Sequence, residues 1–232
     1  MQRWDGRRWR PVPLQSATDA DLVEVSVAGP MAIFSGSDSW LLTEYAVPNE
    51  GSYILHWDGH QWSSVLPADS LPPTDHGRLL APGCDGAFLN LTTILAFSPH
   101  DIWMDGQISG DVDYPGQCPV FYHWDGVSVQ DVWPIVPPAD FPLFELGGNG
   151  SGAFAMAGSG PTDVWAIAGT LLLHWDGHAL RLVTGPPLRW ANLAALSSTD
   201  AWALGPLVGS AAYAAYHWDG AAWRRVSTEP AG

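Results

Sequence analysis

Histidine and aspartate recur in this sequence at a fixed spacing from tryptophan, and both side chains can bind metals or transfer protons. The segment His-Trp-Asp-Gly occurs at residues 56–59, 123–126, 174–177 and 217–220, and Arg-Trp-Asp-Gly occurs at residues 3–6. Imidazole nitrogens with carboxylate oxygens suit a metal centre or a general acid–base pair. Whether the copies can act together depends on the elements that position them.

A second motif, Asp-x-Trp after a small turn, precedes four of these copies. It ends at Trp40, Trp103, Trp165 and Trp202. Another Trp follows four of the five Trp-Asp-Gly copies, at Trp9, Trp62, Trp133 and Trp223. Together with these residues, the two motifs account for 13 of the 14 Trp. Successive Trp-Asp-Gly copies lie 53, 67, 51 and 43 residues apart. Periods of roughly 40 to 50 residues are typical of the four-stranded blades of a β-propeller.

Asp-Gly between apolar or aromatic segments indicates a tight hairpin, since Gly accepts a positive φ. Each unit therefore predicts four short antiparallel strands. A two-residue type I′ turn would place Trp57 diagonal to Trp62, whereas a type I turn with a Gly bulge would place Trp57 in the turn. The residues assigned to this structural repeat are Trp40, Trp57, Asp58, Gly59, Trp103, Trp124, Asp125, Gly126, Trp165, Trp175, Asp176, Gly177, Trp202, Trp218, Asp219 and Gly220.

The repeat predicts an all-β chain that forms a single β-propeller domain over residues 1–232. About four complete four-stranded blades are expected, at roughly 19–67, 80–134, 150–184 and 190–228. Residues 2–13 form an additional hairpin that corresponds to the last two strands of a blade. We therefore expect either a fragment of a longer propeller or a five-position ring with one half-blade.

The pattern Asp-x-Trp followed by His-Trp-Asp-Gly-x-x-Trp resembles the repeats of bacterial, WD-like β-propeller proteins, distantly similar in style to Asp-box and kelch-like propellers. The resemblance covers nearly the whole chain. It departs from a true Asp-box, Ser-x-Asp-x-Gly-x-Thr-Trp, so the glycosidase associations of that motif do not carry over. The resemblance implies an extracellular or cell-envelope location. The first ten residues lack the apolar core of a signal peptide, and a cytoplasmic location is the alternative.

Propeller geometry argues against a metal centre built from the repeated His. Strands lie about 4.8 Å apart, so the third strand of a blade is roughly 10 Å farther from the axis than the first. We expect these His to pack within their own blades, and we expect the repeated Asp to cap turns. No catalytic residue, metal or cofactor is predicted. Residues 105–113 offer oxygen ligands for calcium but lack the EF-hand spacing.

Ligand recognition is expected at the end of the blades opposite these turns, where the connections of blades 1 and 2 are long. Connections above about 12 to 15 residues are uncommon unless they are functional or disordered. Acidic and aromatic side chains on one face suit a sugar, a cation or a basic protein, while solvated surface carboxylates are the alternative. The candidate ligand-binding residues are Tyr45, Glu50, Asp69, Asp75, Asp111, Asp113, Tyr114 and Asp140.

Charge and composition exclude several function classes. The net charge of −15 disfavours nucleic acid and anionic lipid as partners, and no apolar run is long enough for a membrane span. The sequence contains no P-loop, Gly-x-Ser-x-Gly, zincin or dinucleotide motif. We predict a non-catalytic binding or scaffolding module for a protein or carbohydrate ligand. The alternatives are a carbohydrate-active enzyme or lectin of the propeller class, and a purely structural repeat segment of a larger cell-envelope protein.

The two cysteines, Cys84 and Cys118, are predicted to form a disulfide. The predicted topology places both at the same end of blade 2, and Gly and Pro nearby give the connections freedom to bring the two Cα atoms within bridging range. Two free thiols are the alternative.

Overall fold

The computed structural model describes residues 2–12, 25–45, 52–66, 88–109, 117–132, 154–168, 171–188 and 192–226. Every regular element within these ranges is a β-strand. The described part of the chain accordingly has no helix with the length and apolar character of a membrane span. Its strands form one two-stranded hairpin and four four-stranded antiparallel sheets. The predicted all-β architecture with four complete four-stranded units is thereby confirmed.

The strands follow the chain in order through these sheets. The first hairpin consists of β1 (Gln2–Trp4) and β2 (Trp9–Pro11). Sheet 1 consists of β3 (Val25–Ser35), β4 (Asp38–Tyr45), β5 (Ser52–Trp57) and β6 (Trp62–Leu66). Sheet 2 consists of β7 (Phe88–Ser98), β8 (Asp101–Ser109), β9 (Gln117–Trp124) and β10 (Val129–Asp131).

The remaining two sheets are built in the same way. Sheet 3 consists of β11 (Phe154–Gly160), β12 (Asp163–Ala168), β13 (Leu171–Trp175) and β14 (Leu180–Val183). Sheet 4 consists of β15 (Asn192–Ser197), β16 (Asp200–Pro206), β17 (Tyr213–Trp218) and β18 (Trp223–Arg225). In all four sheets each strand pairs with the next strand along the chain.

The two sequence motifs meet in the same register in every sheet. The Trp of Asp-x-Trp, on the second strand, is directly opposite the His of His-Trp-Asp-Gly, on the third strand. The pairs are Trp40 with His56, Trp103 with His123, Trp165 with His174 and Trp202 with His217. Residues that face each other across two strands share one face of the sheet. In each sheet the Trp ring of Asp-x-Trp therefore lies beside the imidazole of His-Trp-Asp-Gly.

The Asp-Gly turns differ from both alternatives considered from the sequence. Trp57 lies directly opposite Trp62, at the end of its strand and outside the turn. Residues 58–61 form the loop between them, in which the Asp58 N–H donates to the Gln61 carbonyl at 3.2 Å. Oδ1 of Asp58 accepts the backbone N–H groups of His60 at 2.7 Å and Gln61 at 2.8 Å. Gly59 supplies the positive φ that this loop needs, at 98°.

The core lies between successive sheets. β3 contacts β7, β7 contacts β11, and β11 contacts β15, so the first strands of consecutive sheets are neighbours. One apolar cluster joins sheets 1 and 2, a second joins sheets 2 and 3, and a third joins sheets 3 and 4. Burial between sheets is the main favourable term for this arrangement, since each sheet alone is too thin to bury its own side chains.

Candidate binding surface

Each repeated His is held inside its own sheet by the Asp of the preceding Asp-x-Trp motif. Nε2 of the His donates to Oδ1 of the Asp in the pairs His56–Asp38 at 3.0 Å, His123–Asp101 at 2.9 Å, His174–Asp163 at 2.8 Å and His217–Asp200 at 3.0 Å. The imidazole also lies against the opposite Trp ring: it is stacked in the pairs Trp103–His123 and Trp165–His174 and tilted in the pairs Trp40–His56 and Trp202–His217. These His and Asp therefore serve four separate, equivalent contacts.

The Asp of each Trp-Asp-Gly copy is engaged by its own turn. Oδ1 of Asp176 accepts the backbone N–H groups of His178 and Ala179, each at 3.0 Å. These two bonds are the main reason that the pKa of Asp176 falls to about 2. The side-chain bond from Arg224 is the main reason that the pKa of Asp219 also falls to about 2. Such carboxylates stay ionised at neutral pH, which makes them poor general acids.

In each of the four-stranded sheets, the Trp of the Trp-Asp-Gly copy ties the two turns at one end of the sheet together. The indole Nε1 donates at 3.0 Å to a carbonyl oxygen in the turn between the first two strands: Trp57 to Gly36, Trp124 to Pro99, Trp175 to Pro161 and Trp218 to Ser198. The regular end of each sheet is thus cross-linked by its own motif residues.

Tryptophan pairs also connect neighbouring sheets. The Asp-x-Trp ring of one sheet lies against the Trp-Asp-Gly ring of the next, with centroid distances of 5.7 Å for Trp40–Trp124, 5.1 Å for Trp103–Trp175 and 5.3 Å for Trp165–Trp218. Tilted aromatic pairs at this distance stabilise an interface beyond their buried area. The same junction is therefore built three times along the chain.

The outermost faces of the stack leave equivalent positions exposed. Trp202 and Leu204 on sheet 4 are 39% and 49% exposed, whereas their equivalents Trp40 and Leu42 on sheet 1 are buried against sheet 2. On the opposite face of sheet 1, Ile33 of β3 is 69% exposed. Each of these two exposed surfaces corresponds to one side of the contact between successive sheets, and that contact is complete between sheets 1 and 2, 2 and 3, and 3 and 4.

A cleft of about 270 Å³ separates the first hairpin from sheet 1. Its main apolar lining residues are Trp4, Trp9, Met31, Ile33, Trp57 and Trp62. Trp4 is 50% exposed and Trp9 is 63% exposed, which is unusual for side chains of this size. The cleft is therefore an aromatic surface open to solvent.

Sheet 2 departs from the repeat by burying a group of polar side chains. Asp105 stands two residues after Trp103, where the other sheets carry Leu42, Ile167 and Leu204. It is fully buried, and Oδ1 accepts the Thr92 hydroxyl at 3.2 Å. Burial is the main cause that raises the pKa of Asp105 to about 7.

Two amide side chains accompany this carboxyl. Asn90 is directly opposite Gln107, and Asp105 is directly opposite Thr93, so all four residues share one face of sheet 2. The buried atoms Asn90 Oδ1, Asp105 Oδ2 and Gln107 Oε1 have no hydrogen-bond partner within geometric limits, and three of the eight such atoms in the described residues therefore lie in this one group. A buried acceptor without a partner costs free energy. We call Asn90, Thr92, Thr93, Asp105 and Gln107 the polar cluster.

Sequence reasoning identified only part of this cluster. The sequence pattern indicated Asp105 as the start of the calcium-like segment 105–113 but did not indicate Asn90, Thr92, Thr93 or Gln107. The sequence did contain one signal for this cluster, because Asp105 occupies a repeat position at which the other three sheets have an apolar residue. Within the described part of the chain, no group of three or more His, Cys, Asp and Glu side chains is arranged to hold a metal ion.

Most of the ligand-binding residues predicted from the sequence lie outside the described residues. These are Glu50, Asp69, Asp75, Asp111, Asp113, Tyr114 and Asp140. Tyr45 ends β4, where only its backbone is described. Cys84 also lies outside the described residues, and Cys118 is described only as backbone of β9, so the disulfide stays a prediction.

Comparison with known proteins adds no assignment. No protein-family model matches the chain, and no curated protein matches it significantly.

Proposed function

We propose that the chain is a β-propeller module whose four sheets are consecutive blades, and that it acts in binding or scaffolding rather than in catalysis. Two observations support the propeller. The first strands of consecutive sheets are neighbours, and the Trp junction between sheets repeats with nearly constant spacing. Sheets that meet through their first strands and keep one repeated face-to-face contact are typical of this architecture.

The engagement of the motif carboxylates supports a non-catalytic role. Each Asp of the Asp-x-Trp motif holds a His, and each Asp of the Trp-Asp-Gly motif caps a turn. A glycosidase would need two carboxylates that face one cavity, one of them able to donate a proton. Asp105 has a raised pKa, yet it is buried beside Thr and amide side chains and not beside a second carboxylate of the described part of the chain.

We place ligand recognition on the long connections of blades 1 and 2, at the end opposite the Asp-Gly turns. The observation that carries this assignment is the polar cluster. Asn90 is near the start of β7, which follows the connection 67–87, and Gln107 is near the end of β8, which leads into the connection 110–116. Asp105 replaces the apolar residue that the other three sheets carry at its position, and sheet 2 borders both of these connections. A ligand rich in hydroxyl or N–H donors, such as a carbohydrate or a protein segment, suits this chemistry.

A glycan array tests the proposed ligand face directly. The parent chain, the Tyr114→Ala and Asp113→Asn variants, and a His178→Ala control are applied to the same array. His178 is exposed in an Asp-Gly turn at the structural end. We expect binding that is lost in the first two variants and retained in the control. Binding that survives both ligand-face substitutions would contradict the location, and turnover of chromogenic glycosides would contradict the non-catalytic role.

A further inference from the structure

The polar cluster brings three oxygen acceptors together on one face of sheet 2. Asn90 is directly opposite Gln107, and Asp105 precedes Gln107 by two residues on β8. Directly opposite residues have Cβ atoms about 4.5–5.5 Å apart. Residues two apart on one strand are about 7 Å apart, on the same face. Side chains of this length span such gaps, so the three buried oxygens without a partner can approach one point.

A β-bulge in β7 positions the carboxyl of this group. The register of β7 and β8 shifts at Thr92, which is the extra residue of the bulge. The Thr92 hydroxyl donates to Oδ1 of Asp105 at 3.2 Å. The two strands approach closely beside it, because a Cβ at Gly106 would overlap the carbonyl oxygen of Asn90. The bulge therefore holds the carboxyl through Oδ1, while Oδ2 is buried without a partner.

Asp105 has no cationic partner within the described part of the chain, unlike the Asp of each Asp-x-Trp motif, which binds a His. Burial raises the pKa of Asp105 to about 7, the hydroxyls of Thr93 and Thr92 oppose this rise, and no charged group contributes. Phe121, directly opposite Asp105, packs in the apolar cluster between sheets 2 and 3. Buried charges in proteins are normally paired or bound to a metal ion.

We infer that the polar cluster binds a monovalent metal cation, sodium or potassium, through Oδ2 of Asp105 and the amide oxygens of Asn90 and Gln107. Carboxylate and carbonyl oxygens are the donors that replace the hydration shell of such ions. One carboxylate balances one positive charge, so a monovalent ion leaves no buried net charge. Calcium affinity depends on the number of charged ligands, and magnesium retains several waters, so neither ion suits a buried site with one carboxylate.

The bound ion would join two strands at the end of sheet 2 opposite its Asp-Gly turn. Asn90 is near the start of β7, and Gln107 is near the end of β8. These are the strands that border the connections 67–87 and 110–116. The inference goes beyond the proposed ligand face, because it assigns an ion that holds these strands together and requires no carbohydrate or protein ligand.

Thermal unfolding in different chloride salts tests this site. The full chain is melted at about pH 8, where the carboxyl of Asp105 is ionised, in sodium, potassium or choline chloride of equal concentration. We expect a midpoint at least about 3 °C higher in sodium or potassium chloride than in choline chloride, as for an ion at ten times its dissociation constant. Asp105→Asn and Gln107→Leu should each remove this difference. Thr43→Val should keep it, since Thr43 Oγ1 is also buried without a partner but lies on sheet 1.

Sodium NMR measures ion binding without unfolding the chain. The parent chain should broaden the sodium line more than Asp105→Asn does, and potassium should reverse this extra broadening. Equal midpoints in the three salts would overturn the site, and so would a salt difference that survives Asp105→Asn or Gln107→Leu. A larger gain from calcium chloride would overturn the assignment to a monovalent ion. None of these measurements involves a glycan or a protein ligand, so failure here is distinct from failure of the proposed ligand face.

Discussion

Trp165 on the second strand of sheet 3 lies against Trp218 on the third strand of sheet 4, with ring centroids 5.3 Å apart and ring planes at 60°. Trp165 also stacks on His174 within its own sheet. One Trp therefore joins the hydrogen-bonded pair inside a sheet to the interface with the next sheet. This dual contact explains why the two motifs occur together in each repeat. The Trp of Asp-x-Trp contacts the His of the second motif in its own sheet and the Trp of the second motif in the next sheet.

Trp165→Ala is expected to destabilise the chain far more than Trp202→Ala. Trp165 is almost fully buried between two sheets, and removing a buried Trp costs about 3–5 kcal/mol. Trp202 has the same place in the motif but is 39% exposed, so we expect a loss below about 2 kcal/mol. Urea unfolding of both variants measures the difference. Equal losses would show that the exposed face of sheet 4 is covered in solution.

Ala substitutions at three glycines distinguish the cost of backbone strain from the cost of steric overlap. Gly126 has a φ of 91°, and a Cβ there would lie 2.7 Å from the Cβ of His100. Gly6 has a φ of 94° but open space around it, and Gly160 has open space without a positive φ. Ala substitutions should therefore destabilise in the order Gly126, Gly6, Gly160, with about 1–2 kcal/mol for the strain alone. Thermal melts give the order, and a loss at Gly160 as large as that at Gly126 would contradict the turn assignment.

The coupling free energy between the paired Asp and His side chains should be larger where the pair is more buried. In a double-mutant cycle with Ala, we expect a coupling free energy of about 1.5–3 kcal/mol for Asp163 and His174, whose side chains are 6% and 21% exposed. The Asp200–His217 pair is the matched control, with side chains 41% and 32% exposed, and its coupling should be smaller. Chemical denaturation supplies both values. A larger coupling at the exposed pair would contradict the structural role of the buried pair.

Asp105 should make stability fall as the pH rises. Its pKa is about 7 in the folded chain and has an ordinary value of 3.8. Between these two values the folded state binds more protons than the unfolded state, so the free energy of unfolding decreases with rising pH and levels off above about pH 7. The total decrease is on the order of a few kcal/mol. Urea unfolding from pH 4 to pH 8 should show this decrease in the parent chain and a flatter profile in Asp105→Asn; identical profiles would contradict the buried environment of Asp105.

The sheet architecture could be predicted because its signals are local. The Asp-Gly turns and the Trp of the two motifs mark the ends of strands, and each strand of a sheet pairs with the next strand along the chain. The turn type could not be predicted, because the loop geometry depends on which backbone N–H groups donate to the Asp58 carboxylate. The sequence pattern allowed two turn forms, and the capping bonds produced a third.

The polar cluster could not be predicted because it depends on pairing across strands. Asn90 and Gln107 are seventeen residues apart in the sequence and become neighbours only through the register of β7 and β8. The sequence search favoured acidic residues in long connections, whereas the orphaned oxygens of the described structure lie on strands.

Spin-label distances between equivalent positions test the propeller arrangement most directly. Ser63, Gln130, Arg181 and Arg224 occupy the same register on the fourth strands of sheets 1 to 4. Pairs of labels at these sites, on a background without Cys84 and Cys118, give distances by pulsed electron spin resonance. A ring of blades predicts that the distance between residues 63 and 224 does not exceed the distance between residues 63 and 181. A distance between residues 63 and 224 of about three times that between residues 63 and 130, as in a linear stack, would contradict the account.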